Sequence, residues 1–450
     1  MRPARGSPRV RGMSARGVVV IGAGAAGLTA ALRAAEAGAA VTLLNAHPKP
    51  GLKILMSGGT RCNLTHREVS ERDFHGGSRH VIARILRSFT VPQTLEWFER
   101  ELGVALKLEP GGKYFPATDD AQTVLAALLD ACARVGIEPH WGAKAIRLER
   151  REGAGWRVGV RRIADAAALG ADVSAMGQVA WSLPLPEPDE WLEADGVIVA
   201  TGGLSFPRTG SDGSGYALLT ALGHTLVPPV PALTPLASAD PLCAGAQGVT
   251  LEAELTLWTD GERAERTRGS LLFAHFGLTG PCALDLSRHW HRAEGHARRV
   301  TLSFAPGETP ESLEGAWLRY ATEHARRGVR TWLAERLPER IADIVTAESG
   351  LGGAAMSQVP RERRAALIRA LLDRDVRITG TLGYEKAEVT AGGVPLAEVD
   401  PSTLESRIAP GLSLCGEVLD VEGRLGGFNF QWAWSSGTVA GRAAGLRWLT

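Results

Sequence analysis

The sequence predicts an α/β fold in which both ends of the chain build one sheet and the middle forms a largely β insertion with a helical part. Three stretches carry this reading. The opening 18-VVVIGAGAAGLTAALRAAEAGAAVTLLNAH-47 reads strand, glycine turn, helix, strand. A buried strand returns at 195-DGVIVATGG-203, and 412-LSLCGEVLDVEGRLGGFNFQWAWSSGTVAGRAAG-445 supplies a closing strand, a glycine-rich loop and a helix that begins near Gln431. Buried strands alternating with helical runs favour parallel neighbours.

In the opening unit, Val18 to Ile21 and Ala40 to Leu44 are short apolar runs of the kind a buried sheet uses. Between them Gly22, Gly24 and Gly27 keep G-x-G-x-x-G spacing. Gly22 permits the tight turn, Gly24 leaves room for phosphates beside the backbone, and Gly27 lets the helix pack closely on the sheet. The helix amides then face negative charge, so the unit reads as a dinucleotide site. Asn45 stands where an acidic residue usually accepts from the adenosine ribose hydroxyls, and its amide can still bond a hydroxyl. At this point both FAD and a nicotinamide cofactor remain open.

The segment 48-PKPGLKILMSGGTRCNLTH-66 is polar and glycine-rich, unlike the helix a simple repeat would place there. Helical patterns follow over 79–103 and 121–135, with a turn and short strand in 109-EPGGKYFPATDD-120 and Asp119 or Asp120 near the second helix start. Residues 137–150 and 154–160 read as strands of a small sheet, and the Ala, Gly and Pro-rich stretch 162–188 as an insertion or long hairpin loop. Alternation in 249-VTLEAELTLW-258 and 298-RRVTLSFAP-306 predicts antiparallel strands. Over 309–370 Trp317, Leu318, Trp332, Leu333, Leu337, Ile341, Leu367 and Ile368 recur at helical spacing and predict a helical subdomain.

Length and composition describe an ordinary globular protein with room for several cores: 450 residues, 44% apolar and 22% charged. Lys plus Arg at 50 against Asp plus Glu at 49 gives a net charge of +1, from which no nucleic-acid partner is expected. Cys62, Cys132, Cys243, Cys282 and Cys415 are scattered, with no CxxC pair and no metal cluster, which fits a reducing cytoplasm. No run approaches the roughly 18 apolar residues of a membrane span. The basic leader 1–16 reads as a disordered extension or an early start, with Met13 an alternative first residue.

Four blocks in order, namely the glycine loop, GLKILMSGGTRCNLTH, TGGLSFPRTGSDGSGYALLTALGHTLVPPVPALTPL, and EKAEVTAGGV with GEVLDVEGRLGGFNFQWAWSSG, resemble the flavoprotein family described as HI0933-like. It is also called the BaiN or aminoacetone oxidase family of FAD-binding oxidoreductases. The resemblance implies a Rossmann-like FAD-binding domain over 17–229 and 379–450, and a β-barrel-like insert over 230–378 with a helical subdomain around 309–370. It places Gly22, Gly24, Ala25, Ala26 and Gly27 on the pyrophosphate, and Asn45 where the family commonly carries Glu. Lys53, Ser57, Gly58, Gly59, Thr60, Arg61, Cys62 and Asn63 fall on the flavin side, with Thr60 where a glycine is common. Thr201, Gly202 and Gly203 border the adenosine or central portion; Gly416, Glu417, Gly426, Gly427, Phe428, Asn429 and Gln431 border the ribityl and flavin end.

A flavin site needs backbone amides and small residues more than acids or bases, because two phosphates and a polyol must be buried with one ring edge left open. Gly426 and Gly427 before a helix start can present amides to the ring, and Glu417 can accept from ribityl hydroxyls. Arg61, His275 and Lys386 are the candidates for catalysis, with Tyr384 a further proton donor; Cys62, lacking a nearby partner, reads as a small packed residue. Trp432 and Trp434 pack the last helix or floor the pocket. No second G-x-G-x-x-G unit is present, so NADH or NADPH is expected only as a transient donor. The resulting expectation is an FAD-dependent reductase of an activated double bond in a small organic substrate, a reading that the likeness of 205-SFPRTGSDGSGYALLTALGH-224 to fumarate-reductase-type loops also favours. Amine oxidation, RNA modification and non-catalytic flavin binding are the alternatives.

Overall fold

A computed structural model describes residues 17–152, 154–163 and 187–447; the leader 1–16 and most of the expected 162–188 loop lie outside the described residues. The chain divides into two compact units, Met1–Pro229 with Gly392–Thr450, and Val230–Ala391.

In the first unit β1 (Gly17–Ile21), β2 (Ala40–Asn45), β3 (Glu138–Trp141), β4 (Gly196–Val199) and β5 (Leu412–Leu414) form a sheet ordered β5-β4-β1-β2-β3, with every pairing parallel. β1 and β4 are buried throughout, because both faces of a parallel sheet are covered. One strand expected in a small sheet is instead the edge of this one: β3 pairs Thr42 with Glu138 through Asn45 with Trp141. The small sheet itself is antiparallel and comprises Ala143–Arg150, Trp156–Arg162 and Glu190–Ala194.

The glycine loop leads into α1 (Ala25–Glu36), and the chain closes with α2 (Phe428–Leu446) lying against it. Gly437, Gly441 and Gly445 make the contact face of α2. A Cβ on them would come within 2.5 Å of the Ala26 oxygen, 2.3 Å of the Ala30 oxygen and 2.5 Å of the Ala37 Cβ. Spacing of four residues keeps these glycines on one face, so the two backbones meet directly.

The second unit carries a seven-stranded sheet, in the order Arg374–Val376, Arg298–Ser303, Thr250–Thr259, Glu262–Ala274, Gly277–Thr279, Leu236–Ser238, Ile378–Thr381. The expected antiparallel pairing of its middle strands runs from Glu254 with Ser303 to Thr259 with Arg298. No separate helical subdomain is found among the described residues. Trp317, Trp332, Ile341 and Leu367 share one buried cluster with Leu255, Leu257, Phe273 and Leu302, because the helices bury their apolar faces on the sheet. The return to the first unit falls at Gly392 rather than 379, since Ile378–Thr381 still pairs with Leu236–Ser238. Among the described residues no helix is long and apolar enough to cross a membrane.

Candidate functional site

The three loop glycines do different work. Gly22 has φ +106°, and a Cβ there would lie 2.4 Å from the Ala200 oxygen; on Gly27 it would lie 1.7 Å from the Gly22 oxygen. Both positions are closed to any side chain. Gly24 has φ −86°, open to every residue, and a Cβ there would meet nothing within 4 Å. The open flank of Gly24 adjoins the start of α1 at Ala25 and Ala26, whose first turn holds no acidic residue. Uncompensated helix amides beside free space fit the pyrophosphate of a dinucleotide.

Asn45 sits at the end of β2, where its Oδ1 accepts from Ala23 N at 3.1 Å and its Nδ2 donates to the carbonyls of His47 at 2.6 Å and Lys49 at 3.4 Å. The amide thus serves the loop backbone, a use the ribose expectation did not include.

Residues 52–63 contain a helix, Leu52–Thr60, where the sequence suggested none, because Leu52 to Met56 supply an apolar turn with Ile54 buried. The turn breaks at Ser57 (ψ 151°), and Gly58, Gly59 and Thr60 follow with φ of 58°, 67° and 68°. Thr60 is therefore a β-branched residue in left-handed backbone, which explains why glycine suits this position. Thr60→Gly is expected to stabilise the protein by about 1 kcal/mol, strain relief exceeding the added chain entropy, as read by denaturant unfolding; a loss of stability would refute the strain.

Cys62 is also left-handed, at φ 60°, and is fully buried. Burial pushes its thiol up to about 12, with Ser57 pulling weakly the other way. No useful thiolate forms at neutral pH, which argues against covalent chemistry. Folded protein is expected to leave Cys62 unlabelled by a thiol reagent at pH 8, and labelling at the rate of a free cysteine would contradict this.

Arg61 is engaged by carboxylates. Its Nη1 donates to Glu109 at 2.8 Å and Asp119 at 3.3 Å, its guanidinium lies 4.1 Å from the Phe115 ring centre, and Lys107 joins the same acids. Hydrogen bonds from Arg61 and Lys107 hold Glu109 and Asp119 respectively below the usual carboxylate range.

Lys53 and Glu417, 364 residues apart, come together as an ion pair at 2.9 Å, and Ser205 bridges them by accepting from Lys53 at 2.7 Å and donating to Glu417 at 3.1 Å. Sequence reasoning missed Ser205. Glu417 follows Gly416, whose φ of +77° turns the chain beside Ala26. At the end of β4, the Thr201 hydroxyl is buried with no hydrogen-bond partner, Gly202 is left-handed at φ +73°, and Gly203 accepts from Gly213 N.

The block before α2 is more structural than expected. With the Asn63 amide turned to satisfy both ends, its oxygen accepts from Gly427 N at 3.1 Å and its nitrogen donates to Thr65 O at 3.1 Å. That amide of Gly427 is consequently used within the protein. Asn429 pairs with both backbone groups of Gly423, at 2.8 and 2.9 Å. Gln431 is buried and accepts from Thr65 while donating to Phe89 O, Thr94 and Ser435, so its side chain is committed to the interior. Phe428 is buried and stacks on His66 with ring centres 4.9 Å apart, and Gly426 at φ +136° makes the turn before it. Trp432 and Trp434 pack internally, donating to the carbonyls of Gly416 and Leu64.

His275, Tyr384 and Lys386 belong to the second unit. His275 and Lys386 are exposed, His275 edge-on to Phe276. Burial raises the Tyr384 phenol above its ordinary value, with Arg292 pulling it down less strongly.

The family described as HI0933-like protein Rossmann domain matches residues 16–182 and 173–443. The chain belongs to this family. It is an FAD-dependent oxidoreductase with a Rossmann-like α/β fold. The chain is 33% identical over 433 residues to the 3-dehydro-bile acid delta(4,6)-reductase of Clostridium scindens, covering 95% of this chain and 98% of that one. It is 31% identical over 421 residues to the ribosomal RNA dihydrouridine synthase of Escherichia coli, covering 93% and 95%. The enzyme of the same name from Haemophilus influenzae is 28% identical over 429 residues, covering 93% and 96%. The exclusion of a nucleic-acid partner is thereby overturned, since two relatives matched over nearly their full length are RNA enzymes. Net charge averages over the whole surface and is blind to one local site.

Proposed function

We propose that this protein reduces a carbon–carbon double bond conjugated to a carbonyl, with NADH or NADPH as transient electron donor. The observation that carries the proposal is its similarity, over nearly the full length, to two enzymes whose names share that chemistry. A 3-oxo steroid diene and the uracil ring both present an alkene in conjugation with a carbonyl. When bound, FAD supplies the two-electron chemistry. The chain's own groups would bind and orient it: Gly24 and the start of α1 would hold the pyrophosphate on the turn that Gly22 and Gly27 make possible, Thr201 to Gly203 would lie along the middle, and the Lys53–Glu417–Ser205 group and Gly426 would line the remainder. Two further readings accompany this one. The end strands of the insert sheet run on from each other through Arg377, which supports barrel-like closure. Five buried free cysteines support a cytoplasmic setting.

The test is anaerobic. Purified protein carrying flavin is titrated with NADH and then NADPH, and the bleached protein is mixed with a 3-oxo-4,6-diene steroid or with unmodified ribosomal RNA. Colour restored by one acceptor identifies the substrate class. Flavin that neither nicotinamide bleaches, but an amine does, would defeat the reductase reading in favour of an oxidase.

A further inference from the structure

We propose that Asn45 is a positioning residue for the cofactor loop: it fixes the Ala23 peptide, and with it the turn from Gly22 to Gly24, instead of holding a ribose hydroxyl. The proposal rests on the FAD reading above and assigns a role within it.

The glycine loop is pinned from one side by β2 and the segment that follows it. Gly22 N donates to Leu44 O at 2.8 Å, Ala23 N donates to Asn45 Oδ1 at 3.1 Å, and Gly51 N donates to Ala23 O at 3.1 Å. Both polar groups of Ala23 are therefore gripped, in a residue that is fully buried. The gripping segment is folded by the same side chain, because Asn45 Nδ2 donates to His47 O and Lys49 O while His47 Nδ1 accepts from Lys49 N at 2.9 Å. Gly51 closes it in left-handed backbone at φ +61°, where a Cβ would strike the Leu125 side chain at 2.4 Å.

This arrangement needs a donor and an acceptor on one short side chain, which a carboxamide supplies and a carboxylate does not. An acid at position 45 could still accept from Ala23, but would set oxygen against the carbonyls of His47 and Lys49. The substitution of Asn for an acid is thus matched by the local fold.

The experiment has two readouts. Binding of ADP, 2′-deoxy-ADP and 3′-deoxy-ADP to apoprotein is compared between native protein and Asn45→Ala. Positioning predicts that all three weaken by one common factor, on the order of tenfold for a lost hydrogen bond. A loss for ADP that disappears with either deoxy analogue would establish a ribose contact and overturn the proposal. Independently of any ligand, Asn45→Ala is expected to speed amide hydrogen exchange at Gly22, Ala23 and Gly51 in apoprotein, and unchanged exchange there would also overturn it. If Asn45→Ala does not fold, the uncharged Asn45→Ser replaces it in both experiments. Protein that binds neither ADP nor FAD refutes the proposed function, whereas the exchange experiment still judges the role of Asn45.

Discussion

Gly24→Asp is expected to empty the protein of FAD without unfolding it. Gly24 occupies the N-cap of α1 in extended backbone, with φ −86° and ψ −172°, and has no side chain to bond the first turn. Aspartate is a favoured residue at that position, so the apoprotein should hold its stability or gain a few tenths of a kcal/mol. Its carboxylate would fill the space that is now free within 4 Å and bring negative charge to where the pyrophosphate belongs. FAD affinity should fall on the order of a hundredfold or more, through lost space and like-charge repulsion. Fluorescence titration of apoprotein with FAD, beside a denaturant melt, reads both effects. Retention of FAD by the variant would mean that the dinucleotide does not run past Gly24. The same change at Gly27 should instead destroy the fold, since its Cβ would sit 1.7 Å from the Gly22 oxygen.

Gly441→Ala should lower stability by about 3 kcal/mol, the upper end of the cost of forcing a group into a packed interior. The added methyl carbon would lie 2.3 Å from the Ala30 oxygen and 2.9 Å from both the Ala30 Cα and the Arg33 Cβ. Backbone cannot yield as a flexible side chain can, so α1 and α2 must separate. Denaturant unfolding followed by amide exchange in the two helices measures this, and a change below 0.5 kcal/mol would remove the close approach from the account. Because α1 carries the glycine loop at its start, the variant should also bind FAD more weakly, in contrast to Gly24→Asp, which separates binding from folding.

What was legible in the sequence is what local backbone geometry demands. Gly22 and Gly27 declare themselves because no side chain fits, and Thr60 registers as a departure because its φ of 68° suits glycine. Partnerships across the chain left no such mark. Lys53 and Glu417 were both singled out, yet their pairing through Ser205 spans 364 residues and appears only in three dimensions. Gln431 and Asn429 looked available beside a glycine-rich turn, whereas interior hydrogen bonds occupy them, because polarity in a sequence does not distinguish a ligand contact from a buried partner. Gly437, Gly441 and Gly445 stand four residues apart in the sequence, but the spacing alone does not name the helix they face. The helical pattern over 309–370 was sound as periodicity and misleading as domain structure, since period alone does not say against what a face is buried.

The pairing of α1 with α2 also bears on biosynthesis. Residues 25–36 leave the ribosome long before residues 428–446, and the insert Val230–Ala391 is contiguous and contains its own apolar cluster. During translation the nascent chain therefore carries an alanine-rich helix with one face waiting for a partner that is synthesised only after the insert. Contacts of such long sequence separation form late and slowly. Closure of the cofactor domain therefore waits until the whole insert has been made, and until then the uncovered face of α1 is open to chaperones, to proteolysis and to aggregation.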